Sequence, residues 1–600
     1  MAPAGTPRGQ VPAPATSIAS LAPNWSSWES WWRYNKAAYI DLESRARALP
    51  QTPGGLVNAW SGKIDPRSYR SDVIQAAQEL LSEADDYRVV RSSLITMARA
   101  TRADHALARE YGVHGAIADQ LDNPRQVVAE TAVLALGVSG SLRDSQLLGA
   151  LLADSKAGRA ALRATRVPIR LRALAAYAMG LACEHNPSEV QALHAVHQLG
   201  TILKGKDARY PDLQVACVLG LGMVELPELG DETSRGLEHH IDSLIALLED
   251  KNEYKDVRTH APTAIARLVM NAPAELRERA AAVLVKHCSR STQREKAIRH
   301  SAIAALGLIG DADQDKIDVQ IRRALEGALR DGQSIERNFA ALALAQVGGR
   351  VDPENEDSLR NSRAVTKTLS NLMTRGKSRQ KPWAGLALGV QGRELLRAGS
   401  SLPSNTMSSL AMRIQETRSA QDSAAYSIAA GLARSTKAQA HVEEDLLHTH
   451  DQWLRGELAL SLGMMGAVSS RNLLKDEMDD AWHKPKIMEQ AALARHLLGD
   501  GSLVPHLLSL LKECDCWLST TGVTRALGWT ADGRAVAPLL KIARDQERSD
   551  SERSAAVTAL GRLMDETPLP LDRQLGHGVN YVAAPFTLTD PTGLGVLDVL

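Results

Sequence analysis

The sequence predicts an all-α, right-handed solenoid (superhelix) of about thirteen helix pairs, and three observations carry that prediction. First, a helix-sized phrase recurs: RHSAIAALGLIG from Arg299, RALAAYAMGLAC from Arg172, RGELALSLGMMG from Arg455 and RSAAVTALGRLM from Arg553. Each begins with Arg and reaches a Leu-Gly or Met-Gly step seven and eight positions later. Second, that Gly position falls at Arg99, Gly137, Gly180, Gly222, Ala266, Gly307, Ala345, Gly389, Gly431, Gly463, His496, Gly528 and Gly561. Its intervals are 38 to 44 residues up to Gly431 and 32 or 33 afterwards. A period in the range of roughly 20–50 residues marks stacked repeats that cannot bury their apolar face alone. Third, the chain has only two Phe (Phe339 and Phe586). Small side chains suit short helices that approach closely better than one bulky core.

In chain order, residues 1–24 read as a disordered Pro/Ala-rich lead without the continuous apolar core of a signal peptide. Residues 25–49 read as a Trp-rich capping helix: Ser26-x-x-Glu29 is a capping box, and Trp28, Trp32, Asn35, Tyr39 and Leu42 follow at helical spacing. Trp25, Trp28, Trp31 and Trp32 form either a terminal cap or an exposed aromatic platform for a sugar, peptide or membrane interface. Residues 50–70, rich in Pro and Gly, are a linker.

Residues 71–430 hold the longer repeats, each a helix A, a loop and a helix B. In the unit anchored at Gly180 these are residues 145–153 and 169–182; in the unit anchored at Gly307 they are 274–287 and 297–309. Residues 431–567 hold short repeats, and the surplus in the longer ones is expected as longer helices or as loops on one edge. Gly inside helix B costs about 1 kcal/mol against Ala, so its recurrence predicts helices too close for a Cβ. Residues 568–600 form a tail whose Pro and Gly exclude a continuous helix, while Tyr581, Val582, Phe586 and Leu588 are too apolar for a solvated linker. The tail is expected to fold back in extended form over the last repeats; the rival reading is a docking peptide. The array as a whole is expected to be open, on the order of 120 Å along its arc.

The Arg-x-x-Ala-x-x-Ala-Leu-Gly phrase over residues 71–567 resembles the HEAT and HEAT-like families, including the repeats first named from phycobilisome lyases. The WSSWESWWRYNKAAYIDL segment from Trp25 and the LTDPTGLGVLDVL tail from Leu588 resemble those of large HEAT-repeat proteins of planctomycete bacteria, which bring no activity with them. Repeat shape implies a fold and leaves function open.

Seventy basic and seventy acidic residues cancel, so a charged partner must be sought in patches. The patches sort by loop type. A–B loops of the longer repeats hold Lys156, Arg159, Arg163, Arg166, Lys204, Lys206, Arg290, Arg294, Arg375, Lys377 and Arg379, the candidate basic edge. B–A connections hold Asp311, Asp313, Asp315 and Asp318, then Asp352, Glu354, Glu356 and Asp357. Aromatics for stacking on bases are not interleaved with the basic loops, which favours an acidic protein partner over nucleic acid. Eight units carry Arg or Lys eight residues before the anchor, among them Arg91, Arg172, Arg258, Arg299, Arg455 and Arg553. A cation near a helix N-terminus opposes the dipole, so these are expected to pair with acids in the preceding unit.

Catalytic, cofactor and metal residues are expected to be absent. Asp311-x-Asp313-x-Asp315 starts like a calcium loop, but Lys316 and Arg322 occupy the positions of its Gly and Glu. Cys514-x-Cys516 has no second ligand pair nearby in sequence, and the His194/His197 and His239/His240 pairs lack a metalloprotease arrangement. The expected function is a non-enzymatic scaffold that binds protein through the solenoid surface. The alternatives are a HEAT-like enzyme of lyase or DNA-glycosylase style, its pocket built from residues distant in sequence, and a nucleic-acid binder using the basic edge. No apolar run reaches the ~18 residues of a membrane span, and the expected address is cytoplasmic by default, or exported if a leader precedes the start.

Overall fold

The computed structural model describes residues 27–40, 64–102, 104–184, 187–225, 230–565, 575–590 and 595–600, without the side chains of 206, 208 and 230–235. The expected lead, Trp25, Ser26 and most of the expected linker lie outside these residues. Every regular element among them is an α- or 3-10 helix. Thirteen B helices follow the thirteen anchors: Tyr87–Thr101, Gln126–Ser139, Ile169–Ala182, Pro211–Leu221, Lys255–Val269, Lys296–Ile309, Ser334–Gly349, Lys381–Arg397, Ala420–Leu432, Gln452–Met465, Pro485–Leu497, Trp517–Leu527 and Asp550–Met564. Each packs against the B helices before and after it, and against its own A helix.

The anchor glycines measure how close this packing is. A Cβ added at Gly137 would lie 2.6 Å from Ala178 Cα; at Gly222, 2.6 Å from Ala264 Cα; at Gly389, 2.4 Å from Ala429 Cα; at Gly463, 2.5 Å from Ala494 Cα. In each case the neighbour stands two residues before the next anchor. The B helices are therefore parallel and hold one register along the array, and a methyl group at these sites would strike backbone. One rim accordingly carries the A–B loops and the opposite rim the B–A loops.

The surplus of the longer repeats is mostly A-helix length. Their A helices include Glu189–Lys204, Gly230–Glu249, Lys316–Asp331 and Glu356–Arg375, whereas the last four repeats use Gln439–His448, Arg471–Asp480, Leu503–Glu513 and Val536–Arg544. The third repeat instead adds a short helix, Lys156–Ala161, within its A–B connection.

The expected open array is corrected: its two ends meet. Asp550–Met564 of repeat 13 packs along Tyr87–Thr101 of repeat 1 as neighbouring B helices do elsewhere. A Cβ added at Gly561 would lie 3.1 Å from Thr96 Cα, and Thr96 Oγ1 donates to the Val557 carbonyl at 2.8 Å. Outside them, Arg544 of the last A helix pairs with Glu79 of the first at 2.8 Å. The solenoid is a closed ring, because a small rotation repeated thirteen times accumulates to a full turn. Sequence periodicity records how often a unit recurs and says nothing of the angle between units.

Both described terminal segments fill the middle of this ring. The helix Trp28–Ile40 runs parallel to the B helices: Trp28 lies against Trp453 with ring centroids 5.7 Å apart, and Trp32 Nε1 donates to Glu457 Oε2 at 3.0 Å. Further along, the Tyr39 hydroxyl accepts from Gln346 at 2.8 Å. Its last turn is closed by guanidinium groups, Arg393 on the Tyr39 carbonyl and Arg397 on the Ala38 carbonyl, cations where the helix dipole favours them.

The tail enters near the C-terminal ends of the B helices, where Arg267 donates to the Leu575 and His577 carbonyls. It climbs past Thr263 and Ser301 to Thr587, which donates to Asp212 at 3.1 Å. It then returns, and Arg99 Nη2 donates to the Leu600 carbonyl at 2.7 Å. These contacts belong to repeats 1 and 3–6, not to the last repeats over which the tail was expected to fold; closure against repeat 1 has already covered the final repeat. Tyr34 stacks on Tyr581 at 5.4 Å and joins the two terminal segments. Covered from inside and outside, a B helix can be buried on every face: every residue from Leu171 to Ala182 is buried.

Candidate interaction surfaces

A concave groove, the usual working surface of a solenoid, is not open in this molecule, because the terminal segments occupy it. A cleft lies there between the N-terminal helix, the tail and repeats 6 and 7. Trp31, Phe339, Leu342, Gln346, His577 and Tyr581 are among its walls. Burial and the nearby Arg267, Arg350 and Arg397 push the His577 imidazole down to about 4, so it is neutral near pH 7. Among the described residues that line the cleft there is no carboxylate, thiol or serine. Trp28, Trp31 and Trp32 are buried in the ring, Trp31 against this cleft.

The basic residues eight before the anchors are spent inside the ring. Arg172 Nε donates to the Leu152 carbonyl at the end of its own A helix, and its Nη2 meets Asp207 at 2.8 Å. Arg258 does the same with the Leu248 carbonyl and Glu295 at 3.2 Å. Arg299 meets Glu336 at 2.5 Å and Arg455 meets Glu477 at 2.5 Å. The acids stand in the following repeat rather than the preceding one, which corrects the expectation. Arg172 and Arg258 thus join the negative end of their own A helix to the next unit.

The sequence-derived basic edge lies exposed on the A–B rim. Within it, Arg159 pairs with Asp154 at 2.9 Å and Arg163 with Asp122 at 3.1 Å, and Arg290 donates to the Asp331 carbonyl at 3.0 Å. Lys156, Arg166, Lys204, Arg294, Arg375, Lys377 and Arg379 are exposed and make no ion pair among the described residues; the Lys206 side chain lies outside them. The opposite rim is acidic, with Asp352, Glu354 and Glu356 exposed. Its Asp311, Asp313, Asp315 and Asp318 carboxylates accept one another's backbone N–H groups and face Arg277 at 3.8–4.0 Å. That network accounts for the calcium-like spacing as a helix N-terminal connection. Burial pushes Asp318 up to about 7.

The short repeats give the A–B rim a different chemistry that the sequence reading passed over. Trp453 and Trp517 are 40% and 56% exposed there. The loop of repeat 11 carries Trp482 and His483, and the loop of repeat 12 carries Cys514, Asp515 and Cys516. The signal was present as an aromatic beside a His or Cys at one loop position in successive units, but it becomes a cluster only once the loops are known to lie side by side.

No family model and no curated protein matches the chain. Among solved structures, it is similar to the karyopherin Kap121p bound to the extreme C-terminus of the protein phosphatase Cdc14p, at 12% identity and a TM-score of 0.38, over 88% of this chain and 58% of that one. It is also similar to UNC-45 from Drosophila melanogaster, at 14% identity and a TM-score of 0.26, over 88% and 81% of the two chains. The chain therefore spans less than two thirds of the karyopherin's length. No helix among the described residues is long and apolar enough to cross a membrane.

Proposed function

We propose that this chain is a non-enzymatic docking ring that takes an acidic protein segment on the A–B rim of repeats 3–8. The observation that carries this reading is the row of seven exposed cations without ion-pair partners, from Lys156 to Arg379, on the rim opposite the acidic connections. Inside the ring, arginines such as Arg172, Arg258 and Arg299 are spent on carboxylates, whereas this row is a surface with charge to offer. The filled centre supports the same choice, since it leaves rims and outer face as the surfaces a macromolecule can reach. Kap121p and UNC-45 enter only as examples of helical-repeat proteins.

The test is fluorescence anisotropy with a labelled Glu/Asp-rich peptide and, separately, a labelled DNA duplex of equal charge. The ring is expected to bind the peptide with an affinity that falls as salt rises. The charge reversal Arg166→Glu, Lys204→Glu, Arg375→Glu, Arg379→Glu should weaken binding at least about tenfold with the melting temperature unchanged. Equal or tighter binding of the duplex, lost in the same variant, would replace this reading with nucleic-acid binding. No binding to either probe would remove the rim as a docking surface.

A further inference from the structure

Repeats 11 and 12 place three different metal-ligating groups together on the A–B rim, away from the cation row. His483 Nδ1 lies 3.7 Å from Cys516 Sγ, and a carboxylate oxygen of Asp515 lies within 4.8 Å of both. We infer that His483, Asp515 and Cys516 form a binding site for a divalent metal of zinc-like character.

The fold makes this meeting. Cys516 is the N-cap of the helix Trp517–Leu527, so its sulfur sits at the end of a helix whose free N–H groups favour an anion. The Ser519 hydroxyl lies 3.3 Å from Cys516 Sγ, and the thiolate is the form that binds metal. His483 arrives from the neighbouring repeat because Gly522 has no side chain. A Cβ there would lie 3.1 Å from Pro485 Cα, so the loop of repeat 11 can rest on the helix of repeat 12. Trp482, packed on the core, meets the His483 ring edge-on at 6.3 Å.

The donor set selects the metal. One thiolate, one imidazole and one carboxylate suit a borderline-soft ion such as Zn²⁺, whereas Mg²⁺ and Ca²⁺ prefer oxygen alone. Four-coordinate zinc has ligand atoms spaced by less than about 4 Å, given bond lengths of about 2.0–2.3 Å, and the imidazole–sulfur separation already falls in that range. Three protein ligands leave a fourth position, and since His483 and Asp515 are exposed, that position faces water beside Trp517. Cys514, whose thiol burial pushes up, stands outside the three-atom group.

Co²⁺ is the probe, because thiolate ligation gives a sulfur-to-cobalt charge-transfer band in the near ultraviolet, and tetrahedral geometry gives intense visible bands. The full-length chain, reduced and with its thiols verified by titration, is titrated with Co²⁺ and then with Zn²⁺. One equivalent of Co²⁺ should generate both features, and one equivalent of Zn²⁺ should erase them. Cys516→Ser should abolish the charge-transfer band, and His483→Ala should weaken Zn²⁺ binding at least about tenfold. Cys514→Ser should leave both unchanged. All three side chains are partly or wholly exposed, and an unchanged melting curve for each variant shows that the ring is intact. Absence of the charge-transfer band in the reduced parent chain overturns the inference. So does a band that survives in Cys516→Ser or is lost in Cys514→Ser.

Discussion

Between repeats 6 and 7 the ring is joined by a buried ion pair at the start of the B helices; between repeats 13 and 1 hydroxyl groups take that place, and a buried ion pair, Arg99–Asp565, joins the helices at their other end. At the first interface Arg299 and Glu336 are 4% and 2% exposed and meet at 2.5 Å, and Gly307 lets Ala343 approach within 2.7 Å of where its Cβ would be. At the second, the equivalent Arg553 finds no acid in the next repeat. It pairs with Asp550 of its own helix at 3.5 Å and with the Ala543 carbonyl. Ser92, Thr96, Ser551, Ser554 and Thr558 span the contact there, while of the ion pairs that cross the seam Arg544–Glu79 is about half exposed on both sides and Arg99–Asp565, at 3.4 Å, is buried. No chain connects these two repeats. Closure therefore keeps the backbone register of the array and moves its buried ion pair from the start of the B helices to their C-terminal ends.

The largest contrast should come from removing one acid at each interface. Glu336→Ala strands a buried guanidinium and should cost about 3–5 kcal/mol, whereas Glu79→Ala breaks a solvated pair and should cost under about 1 kcal/mol. Chemical denaturation of the two variants measures both, and equal losses would erase the distinction between interfaces.

Adding a methyl group comes next. Gly389→Ala drives a Cβ to 2.4 Å from Ala429 backbone and should cost about 1–3 kcal/mol through forced displacement. Gly561→Ala meets first the Thr96 hydroxyl at 2.6 Å, which can rotate away, and should lower the melting temperature less. Its main effect should be faster amide exchange in 87–101 and 550–564.

Thr96→Val removes the donor that reaches the Val557 carbonyl and should cost about 1 kcal/mol. Hydrogen exchange should again report it at the seam and not at repeats 6 and 7.

The smallest effect, and the one most local to the centre, is on pH. Burial pushes His260 and His577 down to about 4, below the ordinary value near 6.5 that the unfolded chain keeps. Between those values the unfolded state binds protons that the folded state refuses, so stability falls as pH is lowered through that window. Both residues touch the tail. His260 faces the Ala583 carbonyl, and its Nδ1 is buried without an acceptor for an added proton. Glu184, pushed up to about 7 by burial, acts in the opposite sense and offsets part of the loss. Protection factors of amides 575–590, taken relative to intrinsic exchange at each pH, should be lower at pH 5 than at pH 7 while those of the B helices hold, and His260→Gln should blunt the change.

The helix pairs were legible in the sequence because the information is local. The B helix Ile169–Ala182 follows from apolar spacing and an anchor Gly, and the near coincidence of residues 297–309 with Lys296–Ile309 has the same source. Ring closure was not legible, since Gly561 looks like every other anchor and nothing in its neighbourhood names Thr96 as its partner. The central segments were half legible. Trp28, Trp32 and Tyr39 announce a helix with apolar surface to cover, but the cover comes from Glu457 and Gln346, hundreds of residues away. The basic rim could be read from loop composition, whereas pairing of Arg159 and Arg163 with Asp154 and Asp122 needed coordinates. The His483–Asp515–Cys516 group was invisible for a related reason: its members become neighbours only through the stacking of two repeats.

The helix Trp28–Ile40 is threaded through a hole whose walls do not yet exist when it leaves the ribosome. Its partner Glu457 follows Trp32 by 425 positions, which at about 5–20 residues per second is a delay on the order of 20–90 seconds. Throughout that interval the nascent chain is an incomplete arc with its tryptophans unhoused, and the arc cannot close until repeat 13 emerges. The tail segment that lies beside this helix is made after every repeat. Order of synthesis thus becomes order of assembly, and this helix must wait for repeats 10 to 13 before it finds its place.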